Sequence, residues 1–232
     1  MYKLLFLDLD DTILDFRRAE RSALRAALAH FGIAATPELL EQYHQVNRQY
    51  WQMLERGEIT RERVLTERFE TLLSDCSLPE IGKDLAEAYE QRLALEHDFL
   101  PGAEQTVHRL CRRHRLFLMS NGTAPVQYRR LHDAGLTDCF EKIFISQEIG
   151  ADKPDRRFFD RCFGQIPDFS REQAILVGDS LTSDMRGANH AGIAACWVNP
   201  EHKPRPADIR IDYEISSFAK IEGVLDNEQN LD

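Results

Sequence analysis

The stretch Tyr2-Lys3-Leu4-Leu5-Phe6-Leu7-Asp8-Leu9-Asp10-Asp11-Thr12 decides the fold class and locates the chemistry. A nearly unbroken apolar run ends in three carboxylates and a hydroxyl. A run this short and apolar predicts a strand buried on both faces, as in a parallel sheet. In open α/β sheets, ligands collect in the crevice beyond the carboxyl ends of the strands. Asp8 and Asp10 are two apart, so an extended backbone points both side chains the same way. Carboxylates held close repel unless a cation or hydrogen bonds compensate. Oxygen donors select a hard cation such as Mg2+ or Ca2+. An acidic turn opening a helix is the competing reading of this stretch taken alone.

The chain has 232 residues, 43% of them hydrophobic and 29% charged, enough for one large domain or a core carrying a smaller insert. Its net charge of −10 opposes a role in coating a nucleic acid polymer or an anionic membrane. A small phosphorylated metabolite stays compatible, since one metal and one lysine reverse the local field. No apolar stretch approaches membrane-spanning length, and Asp8, Asp10 and Asp11 interrupt the run that a secretory leader would need. The five cysteines (Cys76, Cys111, Cys139, Cys162, Cys196) are scattered and lack any Cys-x-x-Cys spacing. They read as reduced thiols of a cytoplasmic protein, neither a disulfide framework nor a zinc site. Cys111 and Cys196 read as core residues.

From residue 15 to 97 the pattern is helix after helix. Apolar positions recur at helical spacing over 17–31, 37–56, 60–73 and 79–95, with Gly32 and Gly57 as stops and Thr36-Pro37 as a start. At Leu100-Pro101-Gly102 the grammar changes. Short apolar runs at 116–119, 143–145, 175–177 and 193–198 alternate with helical segments at 103–113, 125–134, 156–163 and 182–191. Such alternation implies a parallel sheet with right-handed crossovers. The expected fold is α/β: a Rossmann-like parallel sheet core (1–14 plus 98–226), an inserted all-helical cap domain (15–97) and a flexible tail (227–232).

Each later strand ends in polar residues. Leu116 to Met119 runs into Ser120-Asn121-Gly122, where small side chains let backbone N–H groups approach a phosphate. Lys153 stands before Pro154 at a helix start, and Gly178-Asp179-Ser180 follows another strand, with Asp184 about one turn later. Singly, these residues also suit ordinary loops, a solvated lysine and helix caps. Together they supply what phosphoryl transfer through an aspartyl phosphate requires: a nucleophile, a metal, a proton donor and a cation.

The ordered set Asp8-Leu9-Asp10-Asp11-Thr12, Ser120-Asn121-Gly122, Lys153-Pro154 and Gly178-Asp179-Ser180 with Asp184 resembles the haloacid dehalogenase superfamily of phosphotransferases. The resemblance implies that Asp8 is the nucleophile. Asp10 would protonate the leaving oxygen and later activate water, with its backbone carbonyl on Mg2+. Asp8 and Asp179 would complete the metal ligands, with Asp184 orienting metal-bound water from outside them. Ser120, Asn121, Gly122 and Lys153 would hold the phosphoryl group, with Thr12 bracing the loop beside Asp10. Asp11 would be a bystander. Dehalogenase members generally lack the second acid, so Asp10 favours phosphate chemistry.

The helical insert resembles the cap of that superfamily, which closes over the leaving group. Its segments 43–51, 57–60 and 67–70, with 135–150 and 189–199 of the core, resemble the bacterial pyrimidine 5′-nucleotidases that also act on non-standard nucleotides. Trp51 and Tyr50 could stack on a base and Asn47 could read its edge, although the same helical spacing also makes a core face. The expected function is Mg2+-dependent hydrolysis of nucleoside monophosphates, with a pyrimidine preference, through an aspartyl phosphate on Asp8. A phosphosugar phosphatase or mutase is the alternative within the superfamily. Outside it, the alternatives are an aspartyl-phosphate signalling receiver, for which the chain is long and carries an unneeded insert, and a catalytically dead binding module, which the intact acids and Lys153 oppose.

Overall fold

The computed structural model describes residues 2–229. In chain order the elements are β1 (Leu4–Leu7), α1 (Phe16–His30), α2 (Pro37–Glu55), α3 (Arg61–Asp75), α4 (Gly82–Leu93), α5 (Ala103–Leu110), β2 (Arg115–Ser120) and α6 (Ala124–Asp133). There follow β3 (Lys142–Ile145), α7 (Ser146–Ile149), α8 (Arg156–Phe163), β4 (Ala174–Gly178), α9 (Arg186–Ala191), β5 (Ala194–Val198), β6 (Tyr213–Ile215) and α10 (Ile221–Gln229). They form two compact units: Met1–Asp15 with Asp98–Asp232, and Phe16–His97. Asp15 falls in the first unit, one residue past the boundary expected from sequence, because its N–H bonds to Asp98 O at 2.9 Å.

The first unit is an α/β sheet of parallel strands in the order β3-β2-β1-β4-β5-β6. Strand side chains alternate between two buried clusters. Leu5, Leu7, Leu116, Leu118, Ile175 and Val177 pack on one face with Val107 of α5, Leu131 of α6 and Leu225 of α10. Leu4, Phe6, Phe117, Met119, Leu176 and Trp197 pack on the other with Phe158 and Phe159 of α8 and Ala188 of α9. Helices on both faces exclude water from both, which is why the strands read as continuous apolar runs.

The short strand β6 escaped the sequence reading. Its three residues, Tyr213-Glu214-Ile215, are too few to show a period, and its pairing with Cys196–Val198 is visible only in space. The expected tail from residue 227 is also shortened, since α10 continues to Gln229. Residues 230–232 lie outside the described residues. No helix among the described residues is long and apolar enough to cross a membrane.

The second unit is all-helical, and its interior is partly polar. Tyr43 of α2, Phe69 of α3 and Tyr89 of α4 form a buried ring cluster with centroids 5.1–5.5 Å apart. The buried Arg68 guanidinium lies over Phe69 and Tyr89 at 4.8 and 5.2 Å. Arg68 donates to Asn47 Oδ1 (2.7 Å) and Glu90 Oε1 (3.0 Å), and Asn47 Nδ2 donates to the buried Glu20 Oε1 (2.7 Å). His44 Nδ1 meets the second Glu20 oxygen at 2.7 Å, and that hydrogen bond raises the His44 pKa.

Asn47 thus joins a buried anion to a buried cation, and removing it leaves both short of a partner. We expect Asn47→Ala to cost about 3 kcal/mol of stability, at the upper end for hydrogen bonds to charged groups. Denaturant melts of the purified chain measure this.

Candidate active site

Strand register builds the site. Leu7 is level with Val177 of β4 and Leu118 of β2, so Asp8, Gly178 and Met119 stand side by side one residue further on. The chain leaves β1 for β2 on one side and later returns to place β4 on the other. The crevice between β1 and β4 is therefore a topological switch point, where an open α/β sheet accepts a ligand.

Lys153 fills that crevice. Its ammonium is 1% exposed at the residue level and donates to Asp8 Oδ1, Asp184 Oδ1 and the Met119 carbonyl, each at 2.7 Å. Asn121 fixes the backbone beneath it: its amide accepts from Lys153 N and donates to Lys153 O, both at 2.9 Å. The Lys153-Pro154 peptide bond is cis.

Asp184 reaches the cluster through a π-helical turn, Leu181–Met185, capped by Ser180 Oγ accepting from Ser183 N at 3.1 Å. Both Asp184 oxygens are used, one by Lys153 and the other by Ser180 N at 3.1 Å. The turn seats this carboxylate against Gly178, where a Cβ would lie 2.3 Å from Asp184 Oδ2. Only glycine ends β4 without displacing the acid. Asp179 is held from behind by Trp197 Nε1, which donates to its carbonyl at 2.8 Å.

Carboxylate oxygens of Asp8, Asp179 and Asp184 lie within 4.8 Å of one another. Burial pushes the Asp8 pKa from 3.8 to about 8; the Lys153 charge opposes the shift, and those of Asp184 and Asp10 add to it. Asp179 is raised well above the carboxylate range by burial and then by Asp8, Asp184 and Asp11. Burial would lower the Lys153 pKa, but the Asp184 and Asp8 charges outweigh it and raise it. Were all three acids ionised, one ammonium would leave negative charge uncompensated, and that repulsion adds to burial in raising Asp8 and Asp179. An all-oxygen donor set of this kind fits a hard divalent cation.

Asp10 lies elsewhere. Extended backbone through this stretch would set its side chain beside that of Asp8. The backbone instead turns tightly after Asp8: Leu9 O accepts from Ile13 N and Leu14 N, and Asp11 takes φ +55°. The Asp10 carboxylate reaches α6, accepting from Arg130 Nη1 at 2.5 Å and Gln127 Nε2 at 2.6 Å. Gln127 and Arg130, both 1% exposed, were missed in the sequence; their signal was two polar residues on the buried face of an amphipathic helix.

Gln127 Nε2 also donates to Ser120 Oγ (2.8 Å), which accepts from Gly122 N (3.0 Å). A Cβ on Gly122 would meet the Gln127 amide at 2.4 Å, so glycine is required there too. Thr12 Oγ1 is buried and has no hydrogen-bond partner among the described residues. In the helical unit, the base-contacting role considered for Asn47 gives way to its place in the interior network. It shares the inward stripe of α2 with Tyr43, one turn before it. Tyr50 OH bonds to Thr71 Oγ1 at 2.8 Å, and Trp51 packs by the Leu54-Ile59-Val64 cluster with the Arg61 guanidinium 5.6 Å from its ring.

A parallel sheet with clustered carboxylates and one buried lysine at its carboxyl edge defines a class: α/β enzymes that handle anionic groups at an acidic strand end. The family model for haloacid dehalogenase-like hydrolases matches residues 5–198. The pyrimidine 5′-nucleotidase PynA of Streptococcus pneumoniae is 35% identical, over 97% of this chain and 95% of its own. The pyrimidine 5′-nucleotidase YjjG of Escherichia coli is 30% identical, over 95% and 96%. The HAD-hydrolase YfnB of Bacillus subtilis, solved bound to magnesium, superposes with a TM-score of 0.93 at 37% identity, covering 97% of this chain and 98% of that one. The chain belongs to the haloacid dehalogenase-like hydrolase family and is an enzyme.

The Asp8 shift sets a sign for pH dependence. Between the unfolded value near 3.8 and the folded value of about 8, the folded state holds the extra proton. Stability falls wherever the folded state binds more protons than the unfolded one and pH rises. Chelator-treated protein should therefore lose thermal stability as pH rises across this window, and Asp8→Asn should flatten the dependence. Melting curves across the pH range, with chelator present, read both.

Proposed function

We propose that this hydrolase is a Mg2+-dependent phosphomonoesterase acting on nucleoside monophosphates, with a preference for pyrimidines, through an aspartyl phosphate on Asp8. The observation carrying the mechanism is the placement of Asp8 in one crevice with Lys153, Asp179 and Asp184. Its substrate class is supported by near-full-length similarity to PynA and YjjG.

Asp8 and Asp179 would hold the cation, with the Asp10 carbonyl, while Asp184 orients the water around it. When bound, Mg2+ supplies charge that lets an anionic ester approach an acidic site. Lys153 neutralises the phosphoryl oxygens, and Ser120 with the Asn121 and Gly122 backbone shapes their cradle. The Asp8 oxygen attacks phosphorus and the ester P–O bond breaks, with Asp10 delivering a proton to the departing oxygen. Asp10 then takes a proton from water, which attacks phosphorus, releases phosphate and restores the Asp8 carboxylate. Thr12 would brace the loop carrying Asp10. Among the cap residues, we retain the half-buried Tyr50 and Trp51 as base-facing candidates and assign none to Asn47.

Asp8→Asn should abolish turnover. Asp10→Asn should lower kcat/KM, which reports the phosphorylation step and not the hydrolysis step common to all substrates, roughly 100- to 10,000-fold for a nucleotide, the usual span of general acid–base catalysis. It should cost less for p-nitrophenyl phosphate, whose leaving group needs no proton, so that only the loss from the displaced Arg130, Gln127 and Ser120 contacts remains. Steady-state kinetics on both substrates tests this, and equal losses would remove Asp10 from the acid role.

Across a panel of phosphate esters with Mg2+, UMP and dTMP should exceed purine nucleotides and sugar phosphates in kcat/KM. Sugar phosphates turned over far better would favour the phosphosugar phosphatase reading instead.

A further inference from the structure

The sequence offered no metal spacing among its cysteines, yet the fold gathers two of them with a histidine. His108 and Cys111 lie three apart at the carboxyl end of α5, so they share one face. Cys139, from the 3-10 turn Thr137–Cys139 before β3, meets them from a different element. A ring nitrogen of His108, Cys111 Sγ and Cys139 Sγ lie within 4.8 Å of one another. Cys139 Sγ is 3.4 Å from His108 Nδ1, and Cys111 Sγ lies 3.4 Å from the His108 carbonyl. All three residues are half-buried, unlike Cys162 and Cys196, which are sealed within the apolar core.

We propose that His108, Cys111 and Cys139 form a binding site for a thiolate-seeking divalent cation, Zn2+, distinct from the carboxylate cluster. Soft sulfur with imidazole selects Zn2+ over Mg2+. Zinc bonds of about 2.3 Å to sulfur and about 2.0 Å to nitrogen put tetrahedral S and N ligands about 3.5 Å apart. The observed 3.4 Å between Cys139 Sγ and His108 Nδ1 already matches. Closing the remaining separations from at most 4.8 Å needs about 1 Å, within reach of side-chain rotation. Three protein ligands leave the fourth position for solvent. The bound ion would pin the end of α5 to the turn entering β3, two elements separated in the chain by β2 and α6.

The test uses the full chain, reduced, with excess Mg2+ present, titrated with Co2+ as a spectroscopic probe. A thiolate-to-cobalt charge-transfer band should saturate at one equivalent and vanish when one equivalent of Zn2+ is added. Oxygen ligation at the carboxylate cluster gives no such band. Cys111→Ser and Cys139→Ser should each reduce or abolish it, His108→Ala should weaken Co2+ binding at least tenfold, and Cys76→Ser should change nothing. Zn2+ should raise the Tm of the wild type but not of Cys139→Ser. Circular dichroism checks that each variant folds, and the His108 variant carries the test should a serine variant not fold. No band at stoichiometric Co2+, or a band that persists in both serine variants, would overturn the proposal. Phosphatase failure in Asp8→Asn with an intact cobalt band separates this site from the catalytic reading.

Discussion

One buried ammonium holds the carboxyl edge of the sheet together. Lys153 Nζ serves Asp8, Asp184 and the Met119 carbonyl at equal distances, so it ties the ends of β1 and β2 to the turn after β4. A cation so desolvated persists only where every donor finds an acceptor. That condition propagates outward. Asn121 spends both ends of its amide on the Lys153 backbone, Gly178 gives up its side chain to admit Asp184, and a widened helical turn brings Asp184 back beneath the strand. π-type turns of this kind recur at functional sites because the extra residue re-aims a side chain that a regular helix would carry past. These local departures serve one electrostatic centre.

The sheet was legible because burial on both faces demands apolar runs, and such runs are visible without knowing their neighbours. The carboxylates and Lys153 were legible for a related reason. Charged or polar residues directly after a buried strand are hard to explain by packing alone. What escaped has a common cause. Gln127 and Arg130 sit on a helix whose apolar stripe looks ordinary, and their partner Asp10 is more than 110 positions away. Cys111 and Cys139 are separated by the whole of β2 and α6, so no spacing rule joins them. Asn47 failed in the opposite sense: a polar residue among aromatics suggested a binding face, but it lies inside because Glu20 and Arg68 lie inside with it. Pairwise satisfaction of buried polar groups is a property of three-dimensional neighbours, and a linear pattern carries little of it.

The helical unit shows how far a small unit can go in burying charge. Glu20, Asn47, Arg68 and Glu90 make a chain from anion through amide to cation to anion, roofed by the faces of Phe69 and Tyr89. Replacing such a network with apolar side chains is often neutral for stability, whereas removing one member is costly. Its worth is therefore in specification. Each helix of the four contributes one partner to the network.

The two acids that open the site receive opposite environments from the same short loop. Asp8 faces other carboxylates and is pushed up by burial and their repulsion. Asp10 faces donors only, one from a guanidinium and one from an amide. A carboxylate is the one short side chain that accepts at both ends. An asparagine there would turn a donor toward either Arg130 or Gln127 and force one of them to move. Gln127 is not free to do so without releasing Ser120 Oγ, which it also holds. The orientation of Asp10 is thereby coupled through one glutamine to the Ser120-Gly122 turn at the end of β2, although Asp10 takes no part in the lysine-centred cluster. The proposed nucleophile and proton carrier are two residues apart in sequence but are positioned by different parts of the fold, one by the sheet and the other by α6. That separation permits adjacent carboxylates to hold distinct roles.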